Sequence, residues 1–174
     1  IDLRGKLDGQ KSLAQILSVS KTLSQIDLSW NQIDNEGTKE LAAVLAACEC
    51  LSQIDLSTNR IKDEGAEALA VALKTNRSLK LIDLSRNRIG DKGAKALAVA
   101  FKINKSLTSI NLRDNLIEDE GAKALAAAVS KSLTVIDFSY NRIRDEGIKA
   151  LAIALATSKS LSQIDLAYNQ IGNE

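Results

Sequence analysis

Asn31, Asn59, Asn87, Asn115, Asn141 and Asn169 stand 28, 28, 28, 26 and 28 residues apart. A column of glycines, Gly9, Gly37, Gly65, Gly93, Gly121 and Gly147, keeps the same step. A constant period of this length marks an array of stacked supersecondary units, in which each unit covers its apolar face only by packing on the next. No mixed globular topology has a reason to repeat itself in this way. The whole chain, residues 1–174, is therefore expected to form a single domain of about six repeats of 28 residues.

The unit from Leu79 to Ser106 shows what each layer contains. Leu79, Ile82 and Leu84 have the spacing of a strand with alternate positions buried, and Ile89 is a further apolar anchor beyond the asparagine. Ala94, Leu97, Ala98 and Phe101 then follow helical spacing. Asp63, Asp91, Asp119 and Asp145, with Asn35 in the same column, precede the glycine by two residues, where a side-chain oxygen is expected to cap the helix. Strands stack at about 4.8 Å, whereas helix axes need about 8–10 Å. An array that joins the two must curve, with its parallel strands on the concave wall and its helices outside. Alanine at Ala14, Ala42, Ala70, Ala98, Ala126 and Ala152 lets neighbouring helices approach closely. The expected fold is an α/β horseshoe solenoid.

The phrase LxxIDLSxNxIxDEGAxALAxAL that runs through these units resembles the ribonuclease-inhibitor type of leucine-rich repeat, whose layers carry a strand and a full helix. In style the chain is similar to the repeat region of NOD-like receptors, which shares N-x-I-x-D-x-G-A and N-x-S-L, the latter present as NRSL at Asn76 and NKSL at Asn104. Similar repeats occur in GTPase-activating proteins for Ran and in bacterial effectors. Both ends fall inside a unit, so a longer parent protein is expected. Two repeats are short: Asp2 to Gly9 by three residues and Gly121 to Leu133 by two, through truncated loops or through missing residues.

Composition narrows the function. There is no histidine, which removes the commonest general base and zinc ligand. A formal net charge of +1 provides no field to recruit nucleic acid, and no apolar run approaches the ~20 residues of a membrane span. Cys48 and Cys50 are expected as free thiols, since a bond across one residue is strained and two thiolates alone make a weak metal site. Nothing forms a nucleophile, base and orienting group, so no enzyme activity, cofactor or metal is expected.

Aligned as columns, the repeats separate scaffold from candidate binding positions. The asparagines are read as structural, satisfying loop backbone between layers. Asp27, Asp55, Asp83, Asp137 and Asp165, interrupted by Asn111, point away from the core. This row is either the repeat's habit, relieved by Ser29, Ser57, Ser85 and Ser139, or an acidic stripe that receives a partner's lysine or arginine. Identical neighbours leave no reason for one of these acids to titrate apart from the rest.

The column after the serine, Trp30, Thr58, Arg86, Asp114, Tyr140 and Tyr168, varies freely and holds every tryptophan and tyrosine of the chain. These residue types dominate interface energetics, although the rings could equally cover the asparagine loop. Arg113 adds to the basic positions Arg60, Arg88 and Arg142 nearby. The expected function is a protein-interaction module that grips a protein or peptide partner through Trp30, Arg86, Arg113, Tyr140, Tyr168 and the aspartates. It would serve as the recognition part of an intracellular receptor or effector, in the cytoplasm, or in the host cytosol for a secreted bacterial effector. The alternative is stimulation of a small GTPase, by resemblance to the Ran activator. Secretion is the less favoured setting: the sequons at Asn76 and Asn104 are explained by the repeat phrase.

Overall fold

In the computed structural model, described over residues 1–5, 22–129 and 132–172, six three-residue strands alternate with five helices. In order they are β1 (Gln25–Asp27), α1 (Asn35–Ala47), β2 (Gln53–Asp55), α2 (Asp63–Thr75), β3 (Leu81–Asp83), α3 (Asp91–Ile103), β4 (Ser109–Asn111), α4 (Asp119–Ala126), β5 (Val135–Asp137), α5 (Asp145–Thr157) and β6 (Gln163–Asp165). The strands form one parallel sheet in sequence order. Its register is uniform: Ile26, Ile54, Ile82, Ile110, Ile136 and Ile164 pair in line. A slip of one residue would turn every isoleucine outward, so burial on one side fixes this register.

The expected solenoid is what forms. Strand isoleucines, the leucines that follow them and the helix positions Leu41, Leu69, Leu97, Leu125 and Leu151 make one continuous core. Phe101 and Phe138 stand in leucine positions of that core and are buried. Ala42, Ala70, Ala98 and Ala126 are buried between helices, as expected; Ala152, with no described layer beyond it, is exposed, and Ala14 lies outside the described residues. In the short repeat after Gly121, α4 has 8 residues where the other four described helices have 13. The other short repeat, Asp2 to Gly9, falls largely outside the described residues.

The capping expectation needs correcting. Asp63 is already the first helical residue of α2, and its carboxylate turns to the next layer. There Oδ1 accepts from the backbone N–H of Gly90 at 2.7 Å and of Gly93 at 2.9 Å, at the start of α3. Asp91 does the same for Glu118 and Gly121, Asp119 for Arg144 and Gly147, and the Asn35 amide oxygen for Lys62 and Gly65. Helices α2 to α5 are thus each capped by the layer before them. Among the described helices only α1 is capped by its own N-cap residue, where Asp34 Oδ1 accepts from Gly37 N. A carboxylate at the first helical position has already passed its own free amides, but the stacking brings the next helix's amides over it.

The asparagine column is structural, as expected. Asn87 Nδ2 donates to the carbonyls of Leu56, Leu84 and Ser85, and its Oδ1 accepts from Ile61 N. Asn59, Asn115 and Asn141 repeat this pattern in their own layers. The other asparagine pair, Asn76 and Asn104, is 2% exposed and bonded to carbonyls of the preceding layer, Leu45 and Cys48 for Asn76 and Leu73 and Asn76 for Asn104, so the folded chain presents neither sequon.

Candidate protein-interaction surface

Backbone geometry defines this surface. Trp30, Thr58, Arg86, Asp114, Tyr140 and Tyr168 all have φ between 53° and 62°, the left-handed region. The column that looked free to vary is the one where the chain turns out of every strand. A left-handed residue with a Cβ costs roughly 1–2 kcal/mol relative to glycine, yet none of the six is glycine or asparagine. At four of the six, Trp30, Arg86, Tyr140 and Tyr168, a large side chain stands where a small one would be better for the fold, and strain retained in this way collects at functional sites.

The conformation also aims these side chains outward. Trp30 is 58% and Tyr168 72% exposed, with Tyr140 at 38%. The Tyr140 and Tyr168 rings stack with centroids 4.2 Å apart, and the Arg113 guanidinium lies 4.2 Å over the Tyr140 ring. Arg113 also donates to Ser139 Oγ at 3.2 Å. Arg86 sits 3.9 Å from Asp114, an exposed pair of small energetic weight. Arg113, Tyr140 and Tyr168, taken from three successive layers, thus form one stack, whereas Trp30 stands apart at the opposite end. Arg60, Arg88 and Arg142 are exposed beside them.

The aspartate row has a structural duty that was visible in the spacing. In each layer Oδ1 of the aspartate accepts from the backbone N–H two residues on: Ser29 for Asp27, Ser57 for Asp55, Ser85 for Asp83, Ser139 for Asp137 and Ala167 for Asp165. Asn111 does the same for Arg113 N. This is the self-bonding turn that aspartate and asparagine favour, and it explains the Asp-x-Ser phrase without any ligand. Only the second oxygen remains for other work. Asp27 gives it to Arg4 at 2.7 Å, and Asp83 receives Asn111 Nδ2 at 2.9 Å.

The acids do not share one environment, contrary to expectation. Burial pushes the Asp83 carboxyl above the usual carboxylate range, and the charge of Asp55 adds to this against hydrogen bonds from Ser85 and Asn111. Burial acts on Asp27 in the same sense, but the two Ser29 hydrogen bonds and the Arg4 guanidinium outweigh it and hold that carboxyl below its ordinary value. The differences come from Arg4 at one end and from depth in the middle of the row.

Asn111 stands where a sixth carboxylate would lie between two others, Asp83 and Asp137. The substitution Asn111→Asp removes the donor to Asp83 and adds a charge roughly 5 Å away, costing on the order of 1 kcal/mol at neutral pH. The sign follows from Asp83: a carboxyl raised in the folded state favours folding only while protonated, so its cost appears as pH rises through the raised value. Thermal unfolding of this variant should show a deficit at pH 7 that closes as the pH falls towards 3. A deficit independent of pH would contradict the repulsion.

Among the described residues no group of three or more histidine, cysteine, aspartate or glutamate side chains could hold a metal ion, and no helix is long and apolar enough to cross a membrane. The family profile described as "Leucine Rich repeat" matches residues 19–42, 47–70, 75–98, 104–126, 129–152 and 157–174. The chain belongs to the leucine-rich repeat family. A comparison with curated proteins finds no match. Among solved structures, this leucine-rich repeat protein is similar to one titled leiomodin-1 actin-binding site 2, at 19% identity and a TM-score of 0.69 over 84% of this chain and 86% of that one. It is also similar to the tropomodulin C-terminal domain of Caenorhabditis elegans, at 15% identity and a TM-score of 0.69 over 86% of this chain and 92% of that one. At such identities the likeness concerns the fold.

Proposed function

We propose that this leucine-rich repeat chain is a protein-recognition module that holds a protein or peptide partner along the left-handed rim and the adjoining concave face. The observation that carries this reading is the strained column itself: six non-glycine residues in the left-handed region, with all the tryptophan and tyrosine of the chain among them and exposed. The repeat needs the turn but not the rings, and aromatic and arginine side chains are the usual anchors of interfaces. Mixed charge, with the aspartate row beside Arg60, Arg88, Arg113 and Arg142, suits a protein surface better than a nucleic-acid backbone, which calls for uniform positive charge. The phrases shared with NOD-like receptors support placing the module as the recognition part of an intracellular receptor or effector.

The test uses peptides selected from a random display library on the immobilised chain, then titrated against Trp30→Gly combined with Tyr140→Gly. Glycine is the informative replacement, because at φ near +60° it removes the ring and relieves the backbone together. Binding should weaken by about tenfold or more, while the melting temperature holds or rises. Unchanged affinity, or a collapse of the melting temperature, would assign the rings to the scaffold.

A further inference from the structure

Each described loop that leads from a helix back to the next strand brings the side chains at two positions, i and i+2, into contact. After α2 the pair is Asn76 and Ser78, with Asn76 Nδ2 3.3 Å from Ser78 Oγ. After α3 it is Asn104 and Ser106, where Ser106 Oγ donates to Asn104 Oδ1 at 3.0 Å. After α5 it is Ser158 and Ser160, with hydroxyls 3.4 Å apart. After α1 the same two positions hold Cys48 and Cys50, whose sulfurs lie 3.7 Å apart, and both are free thiols. The approach of the two sulfurs is therefore imposed by a loop that three other layers build from different residues.

The two thiols are not equivalent. Cys48 lines a cleft of about 340 Å³ together with Glu49, Thr75 and Arg77, whereas Cys50 does not border it. The Cys48 backbone is fixed, since its carbonyl accepts from Asn76 Nδ2 at 3.0 Å and from Ser78 Oγ at 2.9 Å. Burial and the hydrogen bond shared with Cys48 raise the Cys50 thiol above its ordinary value.

We infer that Cys48 and Cys50 form a thiol–disulfide exchange site for small-molecule disulfides, with Cys48 the attacking and Cys50 the resolving residue. The Cys48 thiolate attacks one sulfur of RS–SR through the cleft. A Cys48–SR bond forms, the RS–SR bond breaks, and the departing RS⁻ takes up the proton that Cys48 released. The Cys50 thiolate, its proton passed to water, then attacks the Cys48 sulfur. The Cys48–Cys50 bond forms and the second RS⁻ leaves and is protonated. Two protein thiols are oxidised by two electrons, and one disulfide is reduced to two thiols. Closing a ring across a single intervening residue strains the disulfide, which places the couple towards the oxidising end and makes the ring easy to reopen. A Cys50 thiol raised by burial makes the resolving step faster as pH rises.

Glutathione disulfide is the probe, and intact mass with thiol counting is the readout. The reduced protein should lose two hydrogens in mass and both free thiols, then regain them with excess reduced glutathione. Cys50→Ser should stop at a stable mixed disulfide, one glutathione heavier, on Cys48. Cys48→Ser should form adduct about tenfold more slowly or not at all. Serine already occupies both positions after α5, so neither variant asks the loop for a residue it does not accommodate, and far-UV circular dichroism checks the fold. Two thiols persisting in the parent protein, a stable adduct that never closes, or equal behaviour of the two variants would each overturn the proposal.

Discussion

Asn87→Asp should unfold the middle of the array at a cost of about 3–5 kcal/mol at neutral pH, the range for a buried charge without a partner. The amide nitrogen of Asn87 faces the carbonyls of Leu56, Leu84 and Ser85 at 3.0, 3.1 and 3.1 Å, and the side chain is 7% exposed. Aspartate puts an acceptor where three acceptors already converge, so the carboxyl would take a proton or the loop would open. Protonation lowers the penalty, so the loss should shrink in acid and grow as the pH rises. Asn87→Ala leaves Ile61 N without its acceptor but only takes one of two donors from each carbonyl, since Leu56 keeps Asn59, Leu84 keeps Asn115 and Ser85 keeps Thr58 N; it should cost about 1–3 kcal/mol with little pH dependence. Urea unfolding measures both variants, and hydrogen exchange at the Ile61 amide locates the opening. Arg88→Ala next door, exposed and without a structural duty, is the control and should stay within about 0.5 kcal/mol. If Asn87→Asp matched the control, the column would not hold the layers together.

The solenoid was legible because its determinants are periodic. Ile26 and its equivalents, Leu41 and its equivalents, and the buried asparagines recur at one spacing, and a column that never varies in chemistry reads as an interior position. What one sequence position hides is which layer its side chain serves. Asp63 and Gly65 look like neighbours within one helix start. In the fold Asp63 belongs to Gly90 and Gly93 of the next layer, and Gly65 receives Asn35 from the layer before. Contacts between equivalent positions one period apart leave no trace in local spacing.

The candidate surface was legible in part. The exposure of Trp30 and Tyr168 followed from their place beyond the strand, whereas the Arg113 stack on Tyr140 was not legible, since Arg113 comes from the serine column and crosses to the aromatic column of the next layer. The left-handed backbone under them was hidden, because positive φ is signalled by glycine, asparagine or aspartate and this column has only Asp114 among them. The duty of the aspartates was written in the Asp-x-Ser spacing as turn chemistry. Their unequal titration was not, since it depends on Arg4 reaching Asp27 from a neighbouring layer and on the depth of Asp83.

The cross-layer caps lead to the second large effect. Gly121→Ala should destabilise by about 2 kcal/mol, although alanine is the better helix former by up to ~1 kcal/mol. A Cβ on Gly121 would lie 2.5 Å from Asp91 Oδ1, 2.9 Å from Ile117 Cγ2 and 3.0 Å from Ala94 Cβ. The first of these is the oxygen that caps Glu118 and Gly121 from the preceding layer. The methyl group thus both overpacks the site, at about 1–3 kcal/mol, and displaces a cap, at about 1 kcal/mol, and together these exceed the gain in propensity. Gly90→Ala makes the contrast, because its Cβ would meet nothing nearer than the Asp63 carboxylate at 3.4 Å, an ordinary contact. That variant should stay within about 0.5 kcal/mol of the parent. If the Asp91 carboxylate is what the methyl group strikes, removing it makes room: Gly121→Ala should cost less in an Asp91→Ala background than in the parent, a non-additive double-mutant cycle. Additive costs would place the clash on Ile117 and Ala94 instead and detach the glycine column from the capping of one layer by another.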